Sequence, residues 1–95
     1  MLLKISASPT FMRTAKKLHA KDKKVLDQAI NNVASKPSLG EEKKGDLSGV
    51  FVYKFKLNKQ EALLAYELRP NKQAPDEVLL LGVGPHENFY LQLKR

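Results

Sequence analysis

The sequence contains no cysteine and only two histidines. Without thiols the chain can form no disulfide, cannot use a thiolate as a nucleophile and cannot hold a cysteine-ligated zinc ion. Two histidines are too few to build a histidine-rich metal site on their own. We therefore expect no metal ion and no small-molecule cofactor.

Long hydrophobic runs are also missing. No stretch approaches the roughly 20 apolar residues that cross a bilayer, and residues 1–6 lack the basic-then-apolar order of a signal peptide. The 95 residues, 42% of them hydrophobic, suit one compact domain over 1–95. We expect a cytoplasmic protein that makes no membrane contact.

Acidic residues are scarce relative to basic ones. The chain has 17 lysines and arginines against 10 acidic residues, a net charge of +7. Residues 1–36 alone hold eight basic and two acidic residues, so most of the excess lies in that segment. A basic helical face is often only a solvated surface, but this concentration favours contact with an anionic partner, such as the phosphates of RNA or DNA or an acidic protein.

Two amphipathic helices are predicted in the first 36 residues, after a possible short strand at 2–6. Ser8 is a suitable N-cap, with Pro9 at the first helical position, and Pro37 ends the second helix. The apolar positions are Phe11, Ala15 and Leu18 in the first helix and Val25, Leu26, Ala29, Ile30, Val33 and Ala34 in the second. The two helices are expected to form a hairpin.

The second half of the chain has the hydrophobic period of strands. After a turn-rich loop at 36–49, three strands are predicted at about 50–57, 61–68 and 77–83. They are expected to form an antiparallel meander on which the helical hairpin packs. The predicted class is therefore α+β.

The register between the first two of these strands can be predicted from their side chains. We assume that the connection between the two strands has an even number of residues. The expected cross-strand pairs are then Phe51 with Leu68, Tyr53 with Tyr66, Phe55 with Leu64 and Leu57 with Ala62. The same register sets Lys54 beside Ala65 and Lys56 beside Leu63, with no partner charge. We expect the face that carries the lysines to be open rather than packed.

Four side chains could carry chemistry together. Lys54 and Lys56 point the same way on one strand, about 7 Å apart, and His86 and Tyr90 follow the last strand. Separately, the lysines could keep an edge strand soluble, and the other two could be a packed terminal turn. On one surface they would supply cations for a phosphate, an imidazole for proton transfer and a phenol. That set suits metal-free RNA cleavage, in which the 2′-OH attacks the neighbouring phosphorus.

Two segments resemble the RelE/ParE superfamily of bacterial toxins. YKFKLNKQEALLAYEL, residues 53–68, is similar to the central hairpin of RelE-type toxins, and GPHENFYLQLKR, residues 84–95, is similar to the closing segment of a RelE-like subgroup. The resemblance implies a microbial-ribonuclease-like fold and a type II toxin that a cognate antitoxin holds inactive. It further implies an endoribonuclease that enters the ribosomal A site, cuts mRNA and inhibits translation.

The resemblance also implies roles for individual residues. Lys54 and Lys56 match strand lysines implicated as base and phosphate ligand, and His86 occupies the place of a catalytic arginine. Tyr90 matches, after a gap of one residue, a tyrosine that stacks on a base. The expected nucleic-acid contacts are Lys16, Lys17, Lys43, Lys44 and Arg69.

Leu63 departs from the family pattern, because RelE-type toxins carry an arginine there that is thought to stabilise the transition state. Either Arg69, His86 or a loop lysine such as Lys44 replaces it, or the activity is weak or altered. Two other interpretations therefore stay open. The protein could be a ParE-like inhibitor of DNA gyrase, or a catalytically weak toxin that acts mainly by binding its antitoxin.

Overall fold

The computed structural model describes residues 3–43, 45 and 49–85. Its helices and strands, in chain order, are β1 (Lys4–Ala7), α1 (Pro9–Lys16), α2 (Ala20–Ser35), β2 (Glu41–Glu42), β3 (Phe51–Leu57), β4 (Gln60–Arg69) and β5 (Glu77–Pro85). A 3-10 turn, Pro37–Leu39, follows α2. The loop predicted at 36–49 therefore contains this turn and the short strand β2.

The five strands form one mixed sheet in the order β1-β5-β4-β3-β2. Strands β3, β4 and β5 pair antiparallel in succession, whereas β1 pairs with β5 in parallel and β2 extends the other edge. The sheet is thus larger than the predicted three-stranded antiparallel meander, because β1 pairs with β5 and β2 pairs with β3. The class is α+β, with two helices on a five-stranded mixed sheet.

The start of α1 is set by Ser8, as predicted. Its hydroxyl accepts a hydrogen bond from the Phe11 amide at 3.1 Å, and Pro9 follows where its missing N–H costs nothing. The same hydroxyl donates to the Leu81 carbonyl at 3.1 Å, and the Ser8 amide donates to the Leu80 carbonyl at 2.9 Å. One residue therefore caps the helix and fixes it to β5.

Both helices pack on the same face of the sheet. α1 contacts mainly β5, whereas α2 contacts the 3-10 turn that follows it and β3. The main core lies between the two layers. It is built from Phe11, Leu26, Ala29, Val33, Phe51, Leu64, Tyr66, Leu68, Val78, Leu80 and Val83.

The β3–β4 register differs from the prediction by two residues. Asn58 and Lys59, with φ of 54° and 67°, form a two-residue turn, so Leu57 pairs with Gln60 and Lys56 with Glu61. The observed apolar pairs are Phe51 with Tyr66, Tyr53 with Leu64 and Phe55 with Ala62. The predicted partners were wrong because the turn is shorter than assumed, but a shift of two leaves every side chain on its predicted face.

A β-bulge in β5 lies beside a second, smaller core. Ala65 pairs with Gly82 and Tyr66 with Leu80, so Leu81 is an extra residue on β5. Its side chain packs on the face away from the helices, against Val50, Val52, Leu63 and Ala65. Both faces of the sheet centre therefore carry buried apolar residues.

Candidate functional site

Lys54 and Lys56 lie on the face of β3 that points away from the helices. They alternate with Tyr53 and Phe55, which pack against the main core, so strand geometry directs both lysines to the opposite side. Both lysines are exposed. Their ammonium groups are therefore accessible to an anionic ligand.

The cross-strand neighbours of these lysines are Leu63 for Lys54 and Glu61 for Lys56. The sequence analysis expected no partner charge for Lys56, and that expectation was wrong because of the two-residue turn. Glu61 was missed as a member of this surface. Neither lysine takes part in an ion pair within the described part of the chain.

A second acidic residue, Glu41, borders the same surface from β2. Glu41 pairs with Val52, which lies on the lysine-bearing face. Lys43 Nζ lies 3.1 Å from Glu41 Oε1. This hydrogen bond and the Lys43 charge hold the pKa of Glu41 below its ordinary value, and Lys54 contributes to a smaller extent. Lys43 and Lys54 thus lie close to the Glu41 carboxylate, so β2 is part of the surface that carries Lys54 and Lys56.

The face between the lysines and β5 is packed, which corrects the expectation of an open surface. Leu63 is fully buried, and Val52, Ala65 and Val50 are buried with it. Around this cluster, Lys54 and Lys56 remain exposed. Position 63 therefore supplies apolar packing beside Lys54 and no cation.

The other predicted nucleic-acid contacts lie elsewhere. Arg69 is on the face of Lys54 but six residues along β4 from Leu63, about 20 Å at strand spacing, and its guanidinium lies 3.3 Å from Glu67 Oε1. Lys16 ends α1 and Lys17 caps it, both exposed in the helical layer. These three residues are not brought to Lys54, so Arg69 is poorly placed to replace the arginine missing at position 63.

His86, Tyr90 and Lys44 lie outside the described residues. The strand that leads to His86 is described up to Pro85, which pairs with Ala62, while Gly84 pairs with Leu63. Strand β5 thus ends beside the β4 segment that pairs with Lys54 and Lys56.

In residues 3–43, 45 and 49–85, no cluster of three potential metal ligands occurs, and no described helix is long and apolar enough to cross a membrane.

A family model described as the ParE-like toxin of type II bacterial toxin-antitoxin systems matches residues 5–94. No curated protein matches the chain. The fold is similar to that of a solved toxin in the RelBE2 toxin-antitoxin complex of Mycobacterium tuberculosis, with 18% identity over 90% of this chain and 100% of the other and a TM-score of 0.72.

Two further solved structures share the fold. A mutant of the E. coli toxin RelE in its free state is 18% identical over 99% of this chain and 94% of its own, with a TM-score of 0.69. A chain of the archaeal RelE-RelB complex from Pyrococcus horikoshii is 11% identical over 92% of this chain and 98% of its own, with a TM-score of 0.61. At sequence identities of 11–18%, the similarity to these structures shows the fold alone.

Proposed function

Since this chain belongs to the ParE-like toxins of type II bacterial toxin-antitoxin systems, we propose that it is a ribosome-dependent mRNA endonuclease that stops translation. A cognate antitoxin binds it and keeps it inactive; similar folds have been solved in toxin-antitoxin complexes named RelBE2 and RelE-RelB. The ribosome and its bound mRNA are the targets, and the protein acts in the cytoplasm.

The observation that carries this proposal is the pair of exposed lysines on β3. Lys54 and Lys56 project from adjacent outward positions of a rigid strand, about 7 Å apart, a span that suits the oxygens around one RNA phosphate. In cleavage, the 2′-OH gives its proton to one lysine, which acts as the base, and attacks the neighbouring phosphorus. Both lysines are then charged and stabilise the oxyanion that develops. The strand fixes the backbone positions of the two lysines, and their flexible stems let both ammonium groups reach the phosphate.

His86 and Tyr90 complete the proposed site. Strand β5 runs antiparallel to β4, with Gly84 beside Leu63 and Pro85 beside Ala62, so the last described residue before His86 lies next to the lysine-bearing hairpin. An imidazole transfers protons efficiently near neutral pH, which suits protonation of the 5′-oxygen leaving group. The Tyr90 ring stacks on a base next to the cut.

The test is the rate of mRNA cleavage on programmed ribosomes at saturating protein. We expect Lys54→Ala and Lys56→Ala to lower this rate by about a hundredfold each, the usual effect of removing one oxyanion contact. Lys4→Ala is the matched control, since Lys4 lies on the same face but on β1, at the far edge of the sheet. Equal rates for all three variants would contradict the proposed site.

A second candidate function is gyrase inhibition without RNA cleavage. It is favoured by the ParE-like character of the family and by the buried leucine at position 63. Induced expression distinguishes the two. Cuts within translated mRNA support the nuclease, whereas intact mRNA with inhibited supercoiling of plasmid DNA supports the gyrase inhibitor. Growth arrest without either effect would favour a toxin that acts through other contacts.

A further inference from the structure

A groove lies between α2 and β3, on the side of the sheet away from Lys54 and Lys56. Its volume is about 330 Å³, and it is lined by Lys24, Val25, Gln28, Ala29, Asn32, Tyr53 and Phe55. The α2 residues recur at helical spacing, and Tyr53 and Phe55 occupy alternate positions of β3, so regular structure creates the groove. None of these residues has a place in the proposed cleavage site.

Two aromatic rings form one wall of the groove. The centroids of the Tyr53 and Phe55 rings are 6.2 Å apart and their planes differ by 11°. Both side chains are half-buried, packed on the main core at one side and open to the groove at the other. Rings in nearly parallel planes offer stacking surface to another planar group.

Polar groups on α2 line the opposite wall. Gln28 Nε2 donates to Asn32 Oδ1 at 3.0 Å, and Asn32 Nδ2 contacts the Tyr53 hydroxyl at 3.5 Å. The amide oxygen of Gln28 accepts no hydrogen bond within the described part of the chain. Amide side chains of this kind pair with the edges of nucleobases, which present both donors and acceptors.

The rim of the groove is positively charged. Lys24 lines it, and Lys21 lies one turn earlier on the same side of α2. Both lysines are exposed, and neither forms an ion pair within the described residues. The acidic residues of α2, Asp22 and Asp27, are not part of the groove lining. The charge therefore selects an anionic ligand.

We propose that this groove binds single-stranded RNA, with one nucleobase stacked on the Tyr53–Phe55 pair and the flanking phosphates on Lys21 and Lys24. Aromatic stacking with adjacent cations is the common chemistry of single-strand binding. The site is a second RNA contact, in the opposite layer from the proposed cleavage residues. This proposal rests on the proposed function only for the source of the RNA. Binding itself requires neither a ribosome nor cleavage.

Fluorescence anisotropy tests the stacking wall. The probe is a short fluorescein-labelled 2′-O-methyl oligoribonucleotide, which lacks the free hydroxyl needed for cleavage. We expect Phe55→Leu to weaken its binding about tenfold, whereas Phe55→Tyr, which keeps the ring, should bind within about twofold of the parent. Thermal unfolding of each variant shows whether the fold is retained.

The salt dependence of the same titration tests the rim. Lys24→Ala should reduce the slope of log Kd against log salt by roughly 0.7, the share of one phosphate on a single strand. Lys36→Ala removes the same charge at the other end of α2, outside the groove lining, and should leave the slope unchanged. Folded Phe55→Leu and Lys24→Ala variants that bind like the parent would overturn the proposal, whatever happens to mRNA cleavage on ribosomes.

Discussion

Tyr66 shows at the scale of one residue how the sheet holds the loop that follows α2. Its ring is fully buried and stacks on Phe51 with centroids 5.5 Å apart. Its hydroxyl donates to the Pro37 carbonyl at 2.6 Å and accepts from the Gly40 amide at 2.9 Å. A side chain at position 40 would overlap the Tyr66 hydroxyl, so glycine is required there. One phenol therefore fixes the approach of the chain to β2.

We expect Tyr66→Phe to lower the free energy of unfolding by about 1–3 kcal/mol at neutral pH, because the partly buried Pro37 carbonyl and Gly40 amide lose their partner. Burial raises the pKa of Tyr66 to about 12, against 10.0 for the free group. A raised pKa stabilises the protein below pH 10, and this contribution is lost as the pH rises toward 12. Between these values the difference between parent and variant should shrink by roughly 2 kcal/mol.

Urea denaturation at a series of pH values measures this difference. Tyr53→Phe is a suitable control, since the Tyr53 hydroxyl has only a long contact of 3.5 Å with Asn32, and it should cost less. A constant difference between parent and Tyr66→Phe from pH 9 to 12 would contradict the role given to the hydroxyl.

The sequence could predict Ser8 as a cap, because its partner is three residues away, but the partners of Tyr66 lie 26 and 29 residues away.

At the scale of the element, the β3–β4 hairpin depends on its turn. Both turn residues, Asn58 and Lys59, have positive φ. Asparagine tolerates this left-handed conformation, whereas a lysine there is strained. Glycine is the preferred residue at the second position of such a turn.

Lys59→Gly should therefore raise the free energy of unfolding by about 0.5–1 kcal/mol, since it relieves strain at the turn. Gln60→Gly is the contrasting change, because Gln60 already belongs to β4 and glycine weakens a strand. Equilibrium urea denaturation of the two variants checks the opposite signs. A loss of stability in Lys59→Gly would show that the turn does not hold the register described here.

The hairpin also shows why the site was only partly predictable. Alternation alone placed Lys54 and Lys56 on a common face, and the structure bears out that placement. Their neighbours depended on the length of the turn, which alternation does not fix, so Glu61 was missed. Leu63 lies in a buried cluster against which Leu81, the extra residue of the bulge, packs, and no local pattern in the sequence indicates that bulge.

At the scale of the whole molecule, basic residues of the described part of the chain lie in two layers. Lys16 and Lys17 lie in the helical layer, whereas Lys54 and Lys56 project from the opposite face of the sheet. The sequence indicated that the N-terminal segment is basic, but it could not show that the sheet separates these charges. We infer that the helical layer serves binding and that the other face serves chemistry.

Lys17→Ala should raise the protein concentration needed for half-maximal mRNA cleavage on ribosomes about threefold to tenfold, with an unchanged rate at saturation. The loss of one phosphate contact weakens binding without removing a group from the reaction. Lys36→Ala, with the same change of charge, is the control and should have the smaller effect. A lowered rate at saturation in Lys17→Ala would argue against this division of roles.

The parallel pairing of β1 with β5 has a consequence for folding. Ser8 and its acceptor Leu81 are 73 residues apart, so β1 and the hydrogen bonds that fix the start of α1 to the sheet form only when β5 is available. Contacts of such long sequence separation slow folding, because a large loop must close before they form. During synthesis, the N-terminal strand must wait for almost all of the described chain. A growing chain therefore completes its sheet late, and a truncated product without β5 cannot adopt this fold.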